Sequence, residues 1–557
     1  MSPALNAVAT ASLVAWAALA SLAWTPAALC GEKADVPVTD AEIAGLAEDV
    51  RSKRSSDRNR ALDNLEFLGE RAVPGLAGLA RDKDSLARSS AFMILRRLGP
   101  RAAGAISAMV EIARSDEHDL NTRLNALSVL RNIGPAAVPS MIALFDDPDE
   151  KVRSYAIRYV GEVGPGAARA IPALAVIMAG GDKKFGYAAL ESLGKTGPEA
   201  LPHVRAALRS ADSGYRRAAV HALGDIGPEA KVAIGELVAV NTSSMTKIVA
   251  LGKIGRGARG ALPFVQRCLV DKNASLRTAA ARTLWRISPG NKRGLSVLIH
   301  ALGLEKQYLV APAAEVLGEM GRAAEPAVDR LTQLLESRDH LIRKRSAVAL
   351  GMIGGRAVKA APAIMKLVRE DSDEVSEAAV QGLALFGAPG AKLLIEGLSD
   401  KKYRTRRFCG EALAKAGAAA KPVIPQLVSA LGSRESSTAS WAAQALGSIG
   451  PDAKEAAPAI VKAILERKKG LAIPWSFPYA LRKMEADCDG QLEAFVRALN
   501  AGGDWRTREE AARGLLRFGK EAAGAVEALN RMTNDKRLST RLVAREALET
   551  IDPVEVF

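Results

Sequence analysis

Ala445-Leu446-Gly447-Ser448-Ile449-Gly450-Pro451, ALGSIGP, sets two glycines and a proline against the end of an apolar run. Related segments recur as HALGDIGP at 221–228, ALGKIG at 250–255, EVLGEMG at 315–321 and VALGMIGG at 348–355. Repetition at a fixed period is the signature of a stacked-repeat architecture and is read before any residue receives a role. Aligned on the second glycine, fifteen positions form a column. Gly69, Gly99, Gly134, Gly164, Gly197, Gly227, Gly255, Gly321, Gly354, Gly387, Gly417, Gly450 and Gly519 hold glycine, and Ser288 and Asp552 complete it. Steps are mostly 30 or 33 residues, and a single gap of 69 spans two periods. That gap predicts a degenerate sixteenth repeat at about 470–504.

Eleven residues before the column stands arginine in ten repeats: Arg58, Arg88, Arg123, Arg153, Arg216, Arg277, Arg343, Arg406, Arg508 and Arg541. Six of these have aspartate four residues earlier, at Asp84, Asp119, Asp149, Asp212, Asp339 and Asp504. Aspartate there reads as a helix N-cap, accepting the orphan amides of the first turn. The helix then runs to the glycine, which tolerates a left-handed C-terminal conformation. Five or eight residues beyond the glycine a proline opens another helix, as at Pro74, Pro139, Pro172, Pro202, Pro263, Pro326, Pro362, Pro425 and Pro458. Proline suits the first turn, where its missing N–H costs nothing. Each repeat is therefore two antiparallel helices, and the longer repeats place their three extra residues in the turn after the glycine.

This pattern resembles the HEAT repeat, in particular the short HEAT-like repeats of phycobilisome lyases. The resemblance rests on the proline, the turn aspartate, the early arginine and the ALGxIG ending. It covers 45–557 and implies an all-α solenoid, a curved superhelix of about sixteen helix pairs. At roughly 8–10 Å between packed helix layers, such a stack is expected to be a curved rod about 130–160 Å long. The resemblance also implies that the arginine column pairs with turn aspartates between adjacent repeats. That ladder would join Arg88, Arg123, Arg153, Arg216, Arg343 and Arg508 to Asp84, Asp119, Asp149, Asp212, Asp339 and Asp504.

The first thirty residues differ. Ala4 to Leu29 carries no charge, and AVATASLVAWAALASLAW is a continuous apolar run followed by small residues near Cys30. It reads as a secretory signal peptide at 1–30, followed by a polar linker at 31–44. The run is also long enough to span a bilayer, so an uncleaved N-terminal anchor stays as the alternative. The expected destination is periplasmic or extracellular. Cys268, Cys409 and Cys488 remain in the mature chain, each in a different repeat, and read as free thiols rather than a disulfide framework.

No catalytic pattern appears. His118, His203, His221, His300 and His340 lie in different repeats, without HExxH, His-Glu or CxxCH pairs. The many LGxxG glycines end helices rather than cradle phosphate. No metal or cofactor is expected, and a lyase-like enzyme or its chaperone subunit is the remotest alternative. A nucleic-acid-binding solenoid is the nearer one, opposed by an aromatic content of 4% that leaves few stacking platforms.

What remains is surface. The formal net charge is +15, and RKR at 343–345 and KKYRTRR at 401–407 begin second helices. Second helices line the concave face in HEAT solenoids, which would point Lys344, Arg345, Arg404 and Arg407 into the groove. LAIPWSFPYALRKMEADC fills the degenerate repeat, where Pro474 and Pro478 are expected to forbid a regular helix through Trp475, Ser476 and Phe477. Trp475, Phe477 and Tyr479 then form a candidate aromatic anchor. The combined expectation is a monomeric, exported, non-catalytic scaffold binding an acidic protein or anionic polymer along its concave surface.

Overall fold

The computed structural model describes residues 38–552 apart from 53, 305, 469–470 and 502–503; the apolar leader lies outside the described residues. Thirty-two α-helices follow one another in sixteen pairs, with no strand among the described residues. The first helix is Asp40–Asp49, closed by a capping box between Thr39 and Glu42. The solenoid thus starts inside the stretch expected to be a linker.

Local chemistry sets the repeat. Asp149 accepts from the Lys151 amide at 2.8 Å, and Asp84, Asp119, Asp212 and Asp339 cap their second helices in the same way. Asp504 occupies the same position but makes no side-chain cap, whereas Asp182 caps a helix that lacks the arginine. All thirteen column glycines have positive φ. The extra residues of long repeats form a seven-residue 3-10 turn, Gly164–Ala170, against three in Pro135–Ala137. Pro326 departs from the other prolines: it lies inside the 3-10 turn Gly321–Ala327 and does not open the following helix.

The degenerate repeat keeps its second helix. Ser476–Met484 is helical because Pro478 falls in the first turn, where no intrahelical N–H bond is needed, so the expected break lies earlier: Pro474 and Trp475 precede the helix, which has 9 residues against 14 in Ser436–Ile449. Its column position is Glu485 at φ 52°, the one non-glycine residue with positive φ among the described residues. A side chain there costs about 1–2 kcal/mol relative to a right-handed conformation. Glu485→Gly is expected to raise the unfolding free energy by about 1 kcal/mol, read from urea midpoints; an unchanged midpoint would show that the carboxylate compensates.

The arginine column has a different principal partner from the one expected. Arg153 donates to the Asp147 and Pro148 carbonyls at 2.6 and 3.1 Å, stapling the turn before its own helix. Arg88, Arg216 and Arg343 do the same. Some also reach the next repeat: Arg123 bonds Asp149 at 3.2 Å, a rung of the expected ladder, Arg343 grips Asp371 through two bonds of 2.6 and 2.7 Å, and Arg508 reaches Asp535 at 2.9 Å. Asp84, Asp119, Asp212 and Asp339 cap helices without receiving a ladder arginine. Turn carbonyls win because they lie five and six residues back on the same chain, at no cost in inter-repeat geometry.

Second helices pack closer together than first helices. A Cβ at Gly194 would sit 2.6 Å from the Ala222 Cα, and one at Gly351 would sit 2.4 Å from the Gly382 carbonyl. The more tightly spaced layer is the inside of the bend. The bend runs full circle: the second helix of the first repeat, Ser55–Leu68, meets the last helix, Leu538–Ile551. The expected rod is therefore a closed ring, formed as small per-repeat rotations accumulate.

Cys268 and Cys409 are buried free thiols and Cys488 is half-buried. Burial pushes the Cys409 thiol up to about 12. At pH 8 it is expected to resist alkylation until the protein unfolds, because the thiolate is the nucleophile. Mass spectrometry finding native-state modification of Cys409 would contradict this burial.

Candidate functional site

In the helix Ser436–Ile449 the positions thirteen, ten, nine, six and two before the column, Ser437, Ser440, Trp441, Gln444 and Ser448, stay accessible while the others from Thr438 to Ile449 are buried. Positions thirteen and two are accessible in every repeat, whereas position nine is buried at Ser90, Thr246 and Phe408; these rows form the inner surface of the ring. Counting back from Glu485 places Trp475 ten and Tyr479 six residues before the column. Both are half-buried on the inner face, their rings edge-to-face with centroids 5.5 Å apart. Phe477, eight before the column, is 2% exposed and belongs to the core. It cannot be part of an anchor, because a step of two residues from Trp475 or Tyr479 rotates a helical side chain by about 200°, onto the opposite, buried face.

The shelf extends beyond the three aromatic residues expected from the sequence. Trp441 lies nine residues before Gly450, half-buried, with its ring over Gly410 of the preceding repeat. Tyr479 packs across Gly447, where a Cβ would meet its ring at 2.8 Å. Ser440 and Ser476 share a 2.9 Å hydrogen bond between the two helices. Beyond lies a shallow depression lined by Glu377, Gln381, Phe408, Glu411 and Lys415. The signal that would have found Trp441 is its phase against the glycine column.

The basic candidates divide. Arg404 donates to Asp373 at 2.5 Å and to the Ser376 hydroxyl at 2.9 Å, and Arg407 reaches the same Asp373 at 3.3 Å. The Arg404 hydrogen bond holds the Asp373 carboxyl below the usual carboxylate range. Both guanidiniums also lie over the Phe408 ring, at 5.2 and 4.6 Å. They are structural ties between repeats rather than free cations aimed at a ligand. Lys344 is half-buried and Arg345 exposed, on the inner-facing positions ten and nine before Gly354. Elsewhere inner cations are matched by acids: Lys195 with Glu191 at 2.8 Å, Lys253 with Asp225 at 2.6 Å and Arg282 with Glu315 at 3.6 Å. Several inner cations are thus held by acids of the same or a neighbouring repeat.

Among the described residues no helix is long and apolar enough to cross a membrane. The family model for HEAT repeats matches residues 106–193, 171–244 and 305–384. These stretches are HEAT repeats, and the same helix-pair unit runs through the whole described solenoid. A search of curated proteins finds no match in sequence. Among solved structures the solenoid is similar to importin beta in an ammonium sulfate condition, at 13% identity and a TM-score of 0.43, covering 91% of this chain and 84% of that one. It is similar to a chain of a Kap95:Nup1 complex at 14% identity and 0.42, covering 92% and 73%. An engineered protein matches at 21% identity and 0.25, covering 86% and 98%. These likenesses concern the fold alone.

Proposed function

We propose that this solenoid is a non-catalytic scaffold that holds a protein partner against its inner face, anchored on Trp441, Trp475 and Tyr479. The observation that carries the reading is the gathering of three half-buried rings on inner positions of adjacent second helices, in a chain with only 4% aromatic residues. Aromatic anchors in partly desolvated sites carry much of the energy of protein interfaces. Acidic neighbours already hold several inner cations, Lys195, Lys253 and Arg282 among them, which supports a protein partner over a polyanion. Nucleic acid is disfavoured for the same reason. The uncharged run from Ala4 to Leu29 supports export, with the partner in the same compartment.

The test compares the mature wild-type protein with Trp441→Ala and Tyr479→Ala by affinity capture from the native envelope fraction and mass spectrometry. At least one partner is expected to be lost from both variants, with a binding loss of about 2 kcal/mol or more per ring. Melting temperatures are expected to change little, because these rings cover the core rather than fill it. Identical partner sets from all three proteins would overturn the reading.

A further inference from the structure

One contact explains two irregularities at opposite ends of the chain. Five residues before the column, other repeats carry apolar, small or hydroxyl-bearing side chains, as at Ile94, Val129, Ala222 and Ala445, whereas the first carries Asn64. At the other end Arg537 stands at an N-cap position and makes no cap of its own. Asn64 is buried, donates to the Lys536 carbonyl at 3.2 Å and accepts from the Leu538 amide at 3.1 Å. The first repeat thus caps the last helix. Arg537 pairs with Asp63 at 3.0 Å, Arg541 with Glu42 at 3.6 Å, and Leu538 is buried beneath them.

This seam is built unlike a repeat junction. At regular junctions a residue five before its column bonds a carbonyl seven before the neighbouring column, as in Ser192 to Ile157 and Thr283 to Ile248. At the seam Asn64, five before Gly69, meets residues fourteen and sixteen before Asp552. The offset is seven to nine residues, roughly 10–14 Å of helix rise. The ring closes like a split washer, and the two end helices overlap over part of their length. The glycine-mediated close approach that locks regular junctions cannot form across such an offset. What holds the seam is mostly polar and ionic, and exposed ion pairs of this kind are weak and screened by salt.

We infer that the seam is a latch: the ring opens between Ser55–Leu68 and Leu538–Ile551 while every regular junction stays closed. Opening there uncovers the inner face from the side and leaves each repeat intact. The latch does not depend on the aromatic shelf, and its test needs no partner.

The test uses the full chain with Cys30, Cys268, Cys409 and Cys488 replaced by alanine and nitroxide labels on cysteines at Asn59 and Arg545. A control pair sits at Arg158 and Glu191, across a regular junction. Pulsed electron spin measurements at low salt are expected to show a dominant short distance for both pairs. Asp63→Arg sets two cations against each other, and the long-distance fraction at the seam is expected to rise at least threefold. Arg537→Asp in the same chain should restore the short distance, and high salt should act like Asp63→Arg. The control pair should stay unchanged throughout. Asp63 is exposed, so the substitution leaves the core untouched. The latch is overturned if Asp63→Arg leaves the seam distance unchanged, if the control pair lengthens with it, or if the wild-type seam is already open at low salt.

Discussion

Replacing Arg123 with alanine is expected to cost about 3–5 kcal/mol of stability, the range seen when one partner of a buried ion pair is removed. Its guanidinium is enclosed, with Nε donating to the Ala113 carbonyl at 2.8 Å. Nη1 reaches Asp149 at 3.2 Å and Nη2 reaches Asp147 at 3.1 Å. The Asp147 side chain is 1% exposed, so the alanine variant leaves a carboxylate that water does not reach. Arg153→Ala is the internal comparison. Its guanidinium serves turn carbonyls at a more exposed site, and the expected cost is about 1–3 kcal/mol. Urea unfolding of both variants separates the cases. Equal losses would mean that Asp147 rehydrates by local opening of its turn.

Gly351→Val is the second large effect. Gly351 and Gly382 meet where two second helices touch, and a Cβ at either position would lie 2.4 Å from a backbone carbonyl, that of Gly382 or of Ala347. Backbone cannot step aside as a side-chain tip can. Helix propensity alone favours valine over glycine by about 0.3–0.5 kcal/mol, so the sign rests on which term is larger. Overpacking against backbone is expected to win by about 2–3 kcal/mol. Gly78, in the outer helix Val73–Leu79, has nothing within 4 Å of its Cβ site. Gly78→Ala is therefore expected to stabilise by up to about 1 kcal/mol. Thermal unfolding of the two variants should move in opposite directions. A stabilised Gly351→Val variant would mean that the inner layer is looser than its spacing indicates.

The aromatic candidates show where reading by phase succeeds and where it needs a reference. Trp475 and Tyr479 are legible in the sequence as a cluster, but Phe477 is not separable from them there, because the column has no glycine to count from. Once Glu485 is seen in the left-handed conformation, the phase is restored and Phe477 falls on the buried side. Trp441 was legible by the same count and was hidden only by its ordinary surroundings.

By itself the sequence determined the repeat unit, its period, its caps and its number, because each depends on chemistry within about thirty residues. Aspartate finds amides two and three residues on, glycine accepts a positive φ, and proline opens a helix, whatever lies elsewhere in the chain. Tertiary structure alone decided how far the stack bends and what its charges face. Bending is the sum of small rotations at many junctions, set by how closely Gly194 approaches Ala222 or Gly351 approaches Gly382, and no single repeat encodes it. The pairing of Arg404 and Arg407 with Asp373 spans more than thirty residues and depends on that register. Asn64 lies 474 residues from Leu538, and its amide has a reason only once the rotations along the stack bring the two ends of the chain together.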